Sequence, residues 1–390
     1  MRSSALDYVP SERLLSTLRT AAILGGLVFL VGLFVAPTRV WVGYLIGFNY
    51  LVGLGLSGGL FIAILYLSSA KWGTPLRRIP EAMTYSLPIA GCFGLVLLFG
   101  LHSLYEWSHA ASVEHDPVLL AKSVYLNSWF FAARLIVFFV LWTWLTRRLV
   151  HRSRATDEHG DSGNYKRNVR TSALFMIVLT LSYSLASFDW LMSLEPHWYS
   201  TMFALYQLAG LALSGLGAAT ILLILLRRAG ALGGYVTDDH IQTLGRCLLS
   251  LSIFWVYIWY GQYLLVWYTN IPEEVSWYAA RRGESWSILT PTLLVLNWII
   301  PFVTLLRRDM CRSESVLLRI SVVVMLGRAV DLYLGVGPPV LGDQPTFGVW
   351  EAGPIVGALA VFFYFTLIGV AEARTVPYRD PALENPELVH

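Results

Sequence analysis

The chain has 390 residues, of which 56% are hydrophobic and only 14% charged, against about 25% charged in soluble domains. With a mean hydropathy of +0.59, this composition excludes an ordinary water-soluble globule and points to an all-α integral membrane protein. The formal net charge of +3 reflects an uneven distribution of basic loops and carries no indication of nucleic-acid binding.

Taken in chain order, residues 1–17 form a polar, amphipathic segment. The apolar run that follows starts too late and runs too long for a cleavable leader, so the first span is expected to be retained. Runs of about 20 apolar residues then recur, each long enough to cross a bilayer. They occupy 18–36, 40–67, 83–107, 123–149, 169–194, 201–226, 241–269, 285–306, 316–334 and 348–370. The expected fold therefore has about ten transmembrane helices. Spans one and two fall within 18–67, three to five within 79–194, six to nine within 199–336, the tenth at 348–370, and a tail at 371–390.

Lys and Arg concentrate on the cytoplasmic side of membrane proteins. The N-terminus (Arg2, Arg13, Arg19) and the loops at 71–78, 147–170, 227–246 and 307–319 are basic. They alternate with acidic or nearly neutral loops at 37–39, 106–122, 195–200, 270–284 and 335–351. An even number of spans with both termini in the cytoplasm satisfies every loop. The stretch 152–169 reads as a hydrophilic cytoplasmic loop, and no soluble domain is expected to project from the membrane.

Cys92, Cys247 and Cys311 are scattered and form no Cys-x-x-Cys motif, so neither an iron–sulfur cluster nor a zinc site is encoded. His102 alone among the histidines falls inside an expected span, which argues against a transmembrane haem held by two histidines. The second to fifth spans align weakly with the sixth to ninth. Asn127-Ser128-Trp129 and Thr146-Arg147-Arg148 correspond to Glu284-Ser285-Trp286 and Leu306-Arg307-Arg308, and Asp189 corresponds to Asp331. This pattern suggests two four-helix bundles (spans 2–5 and 6–9) flanked by spans 1 and 10, related by an axis along the membrane normal. Interfacial Trp and positive-inside statistics would give part of the same pattern.

Residues able to carry chemistry are few. Asp189 interrupts an apolar span, where a carboxylate costs roughly 2.5 to 3.5 kcal/mol on insertion scales and is a functional candidate. Arg134 is its natural partner, and a structural ion pair competes with a proton-relay role. His102 and Glu106, four residues apart, would share one helix face near an interface, suited to accept protons. Arg328 and Asp331 sit three apart on the ninth span, and could pair with each other. Tyr260 and Gln262 on the seventh offer an aromatic plane with a polar group for a flat carbonyl-bearing ring.

The segment F-D-W-L-M-S-L-E-P-H-W-Y-S-T-M-F at 188–203, with G-x-N-Y-L-V-G-L-G-L-S-G-G-L-F at 47–61, resembles the membrane subunits of bacterial alternative complex III. Those are similar to the NrfD-like, polysulfide-reductase type of membrane subunit. The resemblance extends over nearly all spans and is nearest to the shorter of the two paired subunits. It implies a multi-pass protein of the bacterial cytoplasmic membrane, without redox cofactors of its own, in a respiratory complex that oxidises menaquinol or ubiquinol. The implied partners are a larger homologous membrane subunit, haem c subunits and an iron–sulfur subunit. His102, Glu106 and Asp189 would accept or relay protons, and Arg328 and Asp331 would take part with them. Two other readings stand beside this one: a proton-coupled secondary transporter, prompted by the repeat and its paired aspartates, and a purely structural membrane anchor.

Overall fold

The computed structural model describes residues 6–159, 162–283 and 285–377, together with Asp380 and Leu383. Among these residues the regular structure is entirely helical. The long segments are α1 (Glu12–Val35), α2 (Pro37–Leu67), α3 (Arg78–Leu104), α4 (Ser128–His159), α5 (Ser162–Trp190), α6 (Met202–Arg228) and α7 (Asp238–Thr269). They continue with α8 (Leu289–Leu305), α9 (Glu314–Leu341) and α10 (Val349–Ala371). Eight of them, α1 to α7 and α10, are long and apolar enough to cross a membrane, and α8 is a shorter apolar helix. Most of the 371–390 tail, Arg2, His390 and Glu284 lie outside the described residues.

Helices α2 and α6 form the centre, which explains why they are apolar on every side. In their most apolar windows 78% and 83% of residues are buried, against 11% for α1. Helix α2 packs on α5, α6, α9 and α10, α4 packs on α5, and α6 packs on α7 and α9. Helices α1 and α10 lie against each other, and both contact α2. Close approach of α2 and α10 depends on Gly43, where a Cβ would fall 2.7 Å from the Glu351 backbone. The same contact is pinned by Arg39, whose guanidinium donates to both oxygens of fully buried Glu351 at 2.7 and 3.0 Å.

Prolines perturb three of the long helices: α8 widens to a π-turn, α9 runs on through its two prolines, and α3 tightens locally. Pro301 has no N–H to offer the carbonyl of Asn297, and α8 widens to a π-turn over Val295–Ile299. Ser252 on α7 donates to that carbonyl at 2.6 Å. In α9, Pro338 and Pro339 free the carbonyls of Leu334 and Gly335, and Arg281 donates to both at 3.0 Å. Helix α3 tightens to a 3-10 turn at Thr84–Ser86, just ahead of Pro88.

Two expectations about loops change. The hydrophilic stretch 152–169 is not a loop, because α4 runs on to His159 and α5 begins at Ser162. A helix leaving the membrane keeps satisfying its own backbone, so loss of apolar character does not end it. The stretches 106–122 and 270–284 are also not open loops. They hold the short helices Ala110–His115, Pro117–Lys122 and Pro272–Arg282.

The connections gather at two ends of the molecule. At one end, the Leu6 end, Thr375 donates its backbone N–H to Leu6 at 2.9 Å, and Arg227 pairs with Asp238 and Glu314. Arg77 and Arg78, in the stretch expected to be a basic loop, are buried here and paired with Glu81, Asp157 and Asp380. At the other, the Pro196 end, Glu195 pairs with Arg281 at 2.7 Å, His197 with Asp116 at 2.8 Å, and Trp198 donates to the Glu274 carbonyl at 3.1 Å.

Candidate functional site

Two buried ion pairs lie in the apolar interior. Asp189, near the end of α5, accepts two hydrogen bonds from Arg134 on α4, at 2.7 and 3.0 Å. Both side chains are buried, with exposures of 1% for Asp189 and 7% for Arg134. Arg134 also donates to the Tyr125 carbonyl at 3.0 Å, and its guanidinium lies over the Tyr125 and Phe130 rings at 3.9 and 4.3 Å. The α5 carbonyls beyond Asp189 are capped, Trp190 by the Tyr105 hydroxyl at 2.9 Å and Asp189 by the Ser193 hydroxyl. This pair is buried between α4 and α5 under the Tyr125 and Phe130 rings.

The second pair is Arg328 and Asp331 on α9, one turn apart and joined at 2.6 Å. Helix α6 completes it: the Tyr206 hydroxyl donates to the other Asp331 oxygen, and Gln207 accepts from Arg328 at 2.8 Å. Gly210 on the same helix makes room, since a Cβ there would fall 2.4 Å from the Arg328 guanidinium. Unlike the first, this pair borders a hollow.

That hollow has a volume of about 280 Å³ and is lined by Tyr206, Gln207 and Asp331 on one side. Trp259 and Tyr263 of α7, stacked 5.9 Å apart and nearly parallel, form another wall. Trp277, Tyr278, Arg281 and Arg282 of the helix Pro272–Arg282 close the Pro196 end. Arg281 spends four N–H···O contacts on protein, to Leu334, Trp277, Glu195 and Gly335. Burial pulls this guanidinium below its usual value, and Glu195 opposes that shift. Burial likewise pushes the Tyr278 hydroxyl up, so it stays a neutral donor. Arg282 donates to the Tyr263 hydroxyl. The cavity thus combines flat aromatic walls with a carboxylate, three phenols and two guanidiniums, a chemistry suited to a planar ring carrying oxygen atoms.

The sequence-derived residues separate into three groups. Arg134 with Asp189, and Arg328 with Asp331, form the pairs that their positions suggested, and Asp331 reaches the cavity. Tyr260 and Gln262 do not line it: Tyr260 is 53% exposed on the outer face of α7, and Gln262 is buried elsewhere on that helix. Their neighbours Trp259 and Tyr263 take the place expected of them.

His102 and Glu106 do not share a helical face. Helix α3 ends at Leu104, Tyr105 is extended (ψ 120°), and Glu106 begins a separate 3-10 turn. Both side chains are exposed, with the His102 Nδ1 3.0 Å from the Ser108 hydroxyl and its ring 5.0 Å from His109. Tyr206, Gln207, Tyr278 and Arg281 were not singled out in the sequence. A signal existed for Arg281, because two consecutive prolines in a buried helix require an outside donor.

Among the described residues no cluster of three or more His, Cys, Asp or Glu side chains could hold a metal ion. No family model matches the chain, and no curated protein matches it.

Proposed function

We propose that this chain is a quinol-interacting membrane subunit of a respiratory quinol:electron-acceptor oxidoreductase, of the alternative complex III type, and that the Tyr206–Asp331–Arg281 cavity receives the quinol headgroup. The single observation that carries the reading is this hollow of about 280 Å³, where aromatic planes and a buried carboxylate–phenol pair meet. Oxidising a quinol removes two electrons and two protons. Asp331, already accepting from Tyr206, is placed to take a proton from a ring hydroxyl. The electrons leave to haem c and iron–sulfur groups on partner subunits, and this chain supplies binding and proton transfer. His102 and Glu106, exposed at the α3 terminus, are available to pass protons to water.

On this reading the protein sits in the bacterial cytoplasmic membrane beside a larger homologous subunit. The bond between Leu6 and Thr375 supports an even number of crossings between them, met by ten spans including α8 and α9. Helices α2 to α5 and α6 to α9 then form the two four-helix bundles, with both termini in the cytoplasm. The π-turn in α8 and the prolines in α9 lend some support to a second reading, a proton-coupled transporter, whose helices are commonly broken beside the substrate.

The test is gentle purification from native membranes followed by haem staining, an absorption spectrum and quinol oxidation by the wild type, Tyr206→Phe and Asp331→Asn. The expected result is co-purification with haem c chains and, in each assembled variant, turnover lowered by about 10²-fold or more, the usual weight of a positioned acid–base group. A chain that arrives alone and colourless refutes the respiratory reading and leaves transport in liposomes as the assay to run.

A further inference from the structure

A second feature lies far from the cavity, in the groove between α3 and α4 toward the Leu6 end. Two adjoining hollows of about 740 and 370 Å³ share Pro88, Thr143, Arg147 and His151. The wall that continues along α4 is apolar, with Phe139, Val140 and Trp144, and both Val140 and Trp144 are exposed. The mouth is basic. Arg147 lies 19 residues after Ser128, which at about 1.5 Å per residue is about 30 Å along α4, the thickness of a hydrocarbon core.

The charges at this mouth are unequally satisfied. Arg154 pairs with Glu372 at 3.2 Å and Arg152 donates to Thr171 at 2.7 Å. Arg148 lies over the Trp144 ring at 4.1 Å. Among the described residues, Arg147, Arg148 and His151 are exposed and have no acidic partner. Carboxylates on neighbouring elements are engaged elsewhere: Glu81 and Asp157 with Arg78, and Glu372 with Arg154 and Tyr85. An unneutralised guanidinium pair above an apolar channel at interface depth matches one kind of molecule, an amphiphile with a phosphate head and hydrocarbon tails.

We propose that the α3–α4 groove is a binding site for an anionic phospholipid, its phosphate held by Arg147 and Arg148 and its acyl chain laid along Val140 and Trp144. General attraction of interfacial arginines to an anionic leaflet would give no such selectivity, and α8 provides an internal control. Arg307 and Arg308 form a second exposed Arg-Arg pair after an apolar helix, with Arg307 already paired to Asp309 at 2.8 Å.

The experiment measures phosphatidylglycerol retained by the purified full-length protein, with whatever partners accompany it, by native mass spectrometry against a phosphatidylcholine background. A phosphate-binding arginine near the surface is worth about 5-fold in affinity, so R147Q/R148Q is expected to bind phosphatidylglycerol about 25-fold more weakly. R307Q/R308Q is expected to match the wild type, and soluble glycerol phosphate to displace no lipid. Equal loss in both double variants would overturn the site in favour of general interfacial charge. Unchanged retention in R147Q/R148Q overturns it outright, and full displacement by glycerol phosphate reassigns the groove to a soluble anion. Should R147Q/R148Q fail to fold, His151→Glu puts a negative charge into the same mouth from an exposed position, and wild-type retention there counts equally against the proposal.

Discussion

The Arg134–Asp189 pair makes a prediction that separates architecture from chemistry. Removing one member of a buried ion pair typically costs 3–5 kcal/mol, because the other charge stays behind without a partner, whereas replacing both with apolar groups of similar volume is often neutral. The two sides are not equivalent here. If Asp189 is neutralised by Asp189→Asn, Arg134 keeps the Tyr125 carbonyl at 3.0 Å and two aromatic faces within 4.3 Å. A desolvated cation–π contact is worth about 2 kcal/mol, so this loss should fall at or just below the lower end, about 2–3 kcal/mol. Arg134→Met leaves a carboxylate that is 1% exposed, with its hydrogen-bonding cation gone, and should cost about 4–5 kcal/mol. The double variant Arg134→Met/Asp189→Leu should recover most of that. Stabilities are read from thermal unfolding in detergent by size-exclusion fluorescence. For a chain of this size a loss of 4 kcal/mol corresponds to a shift on the order of 5–10 °C. If the double variant is as unstable as the two losses added together, the residues do not act as a unit and the reasoning fails. If Asp189→Asn keeps full stability but loses quinol turnover, Asp189 is a proton carrier and its pairing is secondary.

Two further expectations follow from the packing and from the Pro196 end. Gly43→Ala should destabilise by about 1–3 kcal/mol, because the new Cβ meets backbone of α10 that cannot rotate away. Gly26→Ala, with nothing within 4 Å, should be neutral or slightly stabilising in the same unfolding assay, and equal losses at both would discount the close α2–α10 approach. Desolvation pushes the Asp116 carboxyl up, but the N–H groups of Val118 and Leu119 together with His197 outweigh it and hold it below its ordinary 3.8. A depressed value in the fold means that this stabilisation is present above 3.8 and is lost as pH falls through the folded value. Hydrogen exchange across Pro117–Lys122 should therefore accelerate below that range in the wild type, and the pH effect should vanish in Asp116→Asn. Constant protection down to about pH 2 would contradict it.

Much of the architecture was legible because membrane spans must satisfy their own backbone, so a run of about 20 apolar residues has few alternatives to helix. The ion pairs were legible for the same reason. A charge in such a run needs a partner, and Arg328 stood three residues from Asp331 while Arg134 stood in the span before Asp189. What failed was inference across helix ends. The spacing of His102 and Glu106 implied a shared face only if the helix continued, and it ends at Leu104 where Ser108 and Tyr105 turn the chain. The cavity was not legible because it depends on rotation: α7 presents Trp259 and Tyr263 inward and Tyr260 outward, a choice that an aromatic-rich sequence leaves open.

The 188–203 segment also has a dense structural purpose. From Asp189 onward, almost every polar group in it engages a different part of the Pro196 end. Asp189 holds α4 through Arg134, and the Trp190 carbonyl and Ser193 hydroxyl hold the turn at Tyr105 and Trp107. Glu195 holds Arg281, the Pro196 carbonyl accepts from Lys122, His197 meets Asp116, and Trp198 donates to Glu274 while stacking on Trp277. The link through Arg281 reaches the cavity. That guanidinium also satisfies the carbonyls freed by Pro338 and Pro339 and forms part of the cavity wall, so the segment after α5 sets the shape of a site built by α6, α7 and α9. The acid that borders the cavity is Asp331, whereas Asp189 pairs with Arg134 and is not part of its lining. On the proposed quinol reading, substitutions at Glu195 should alter quinol affinity through the position of Arg281, while loss of the Arg134 partnership makes Asp189 variants less stable.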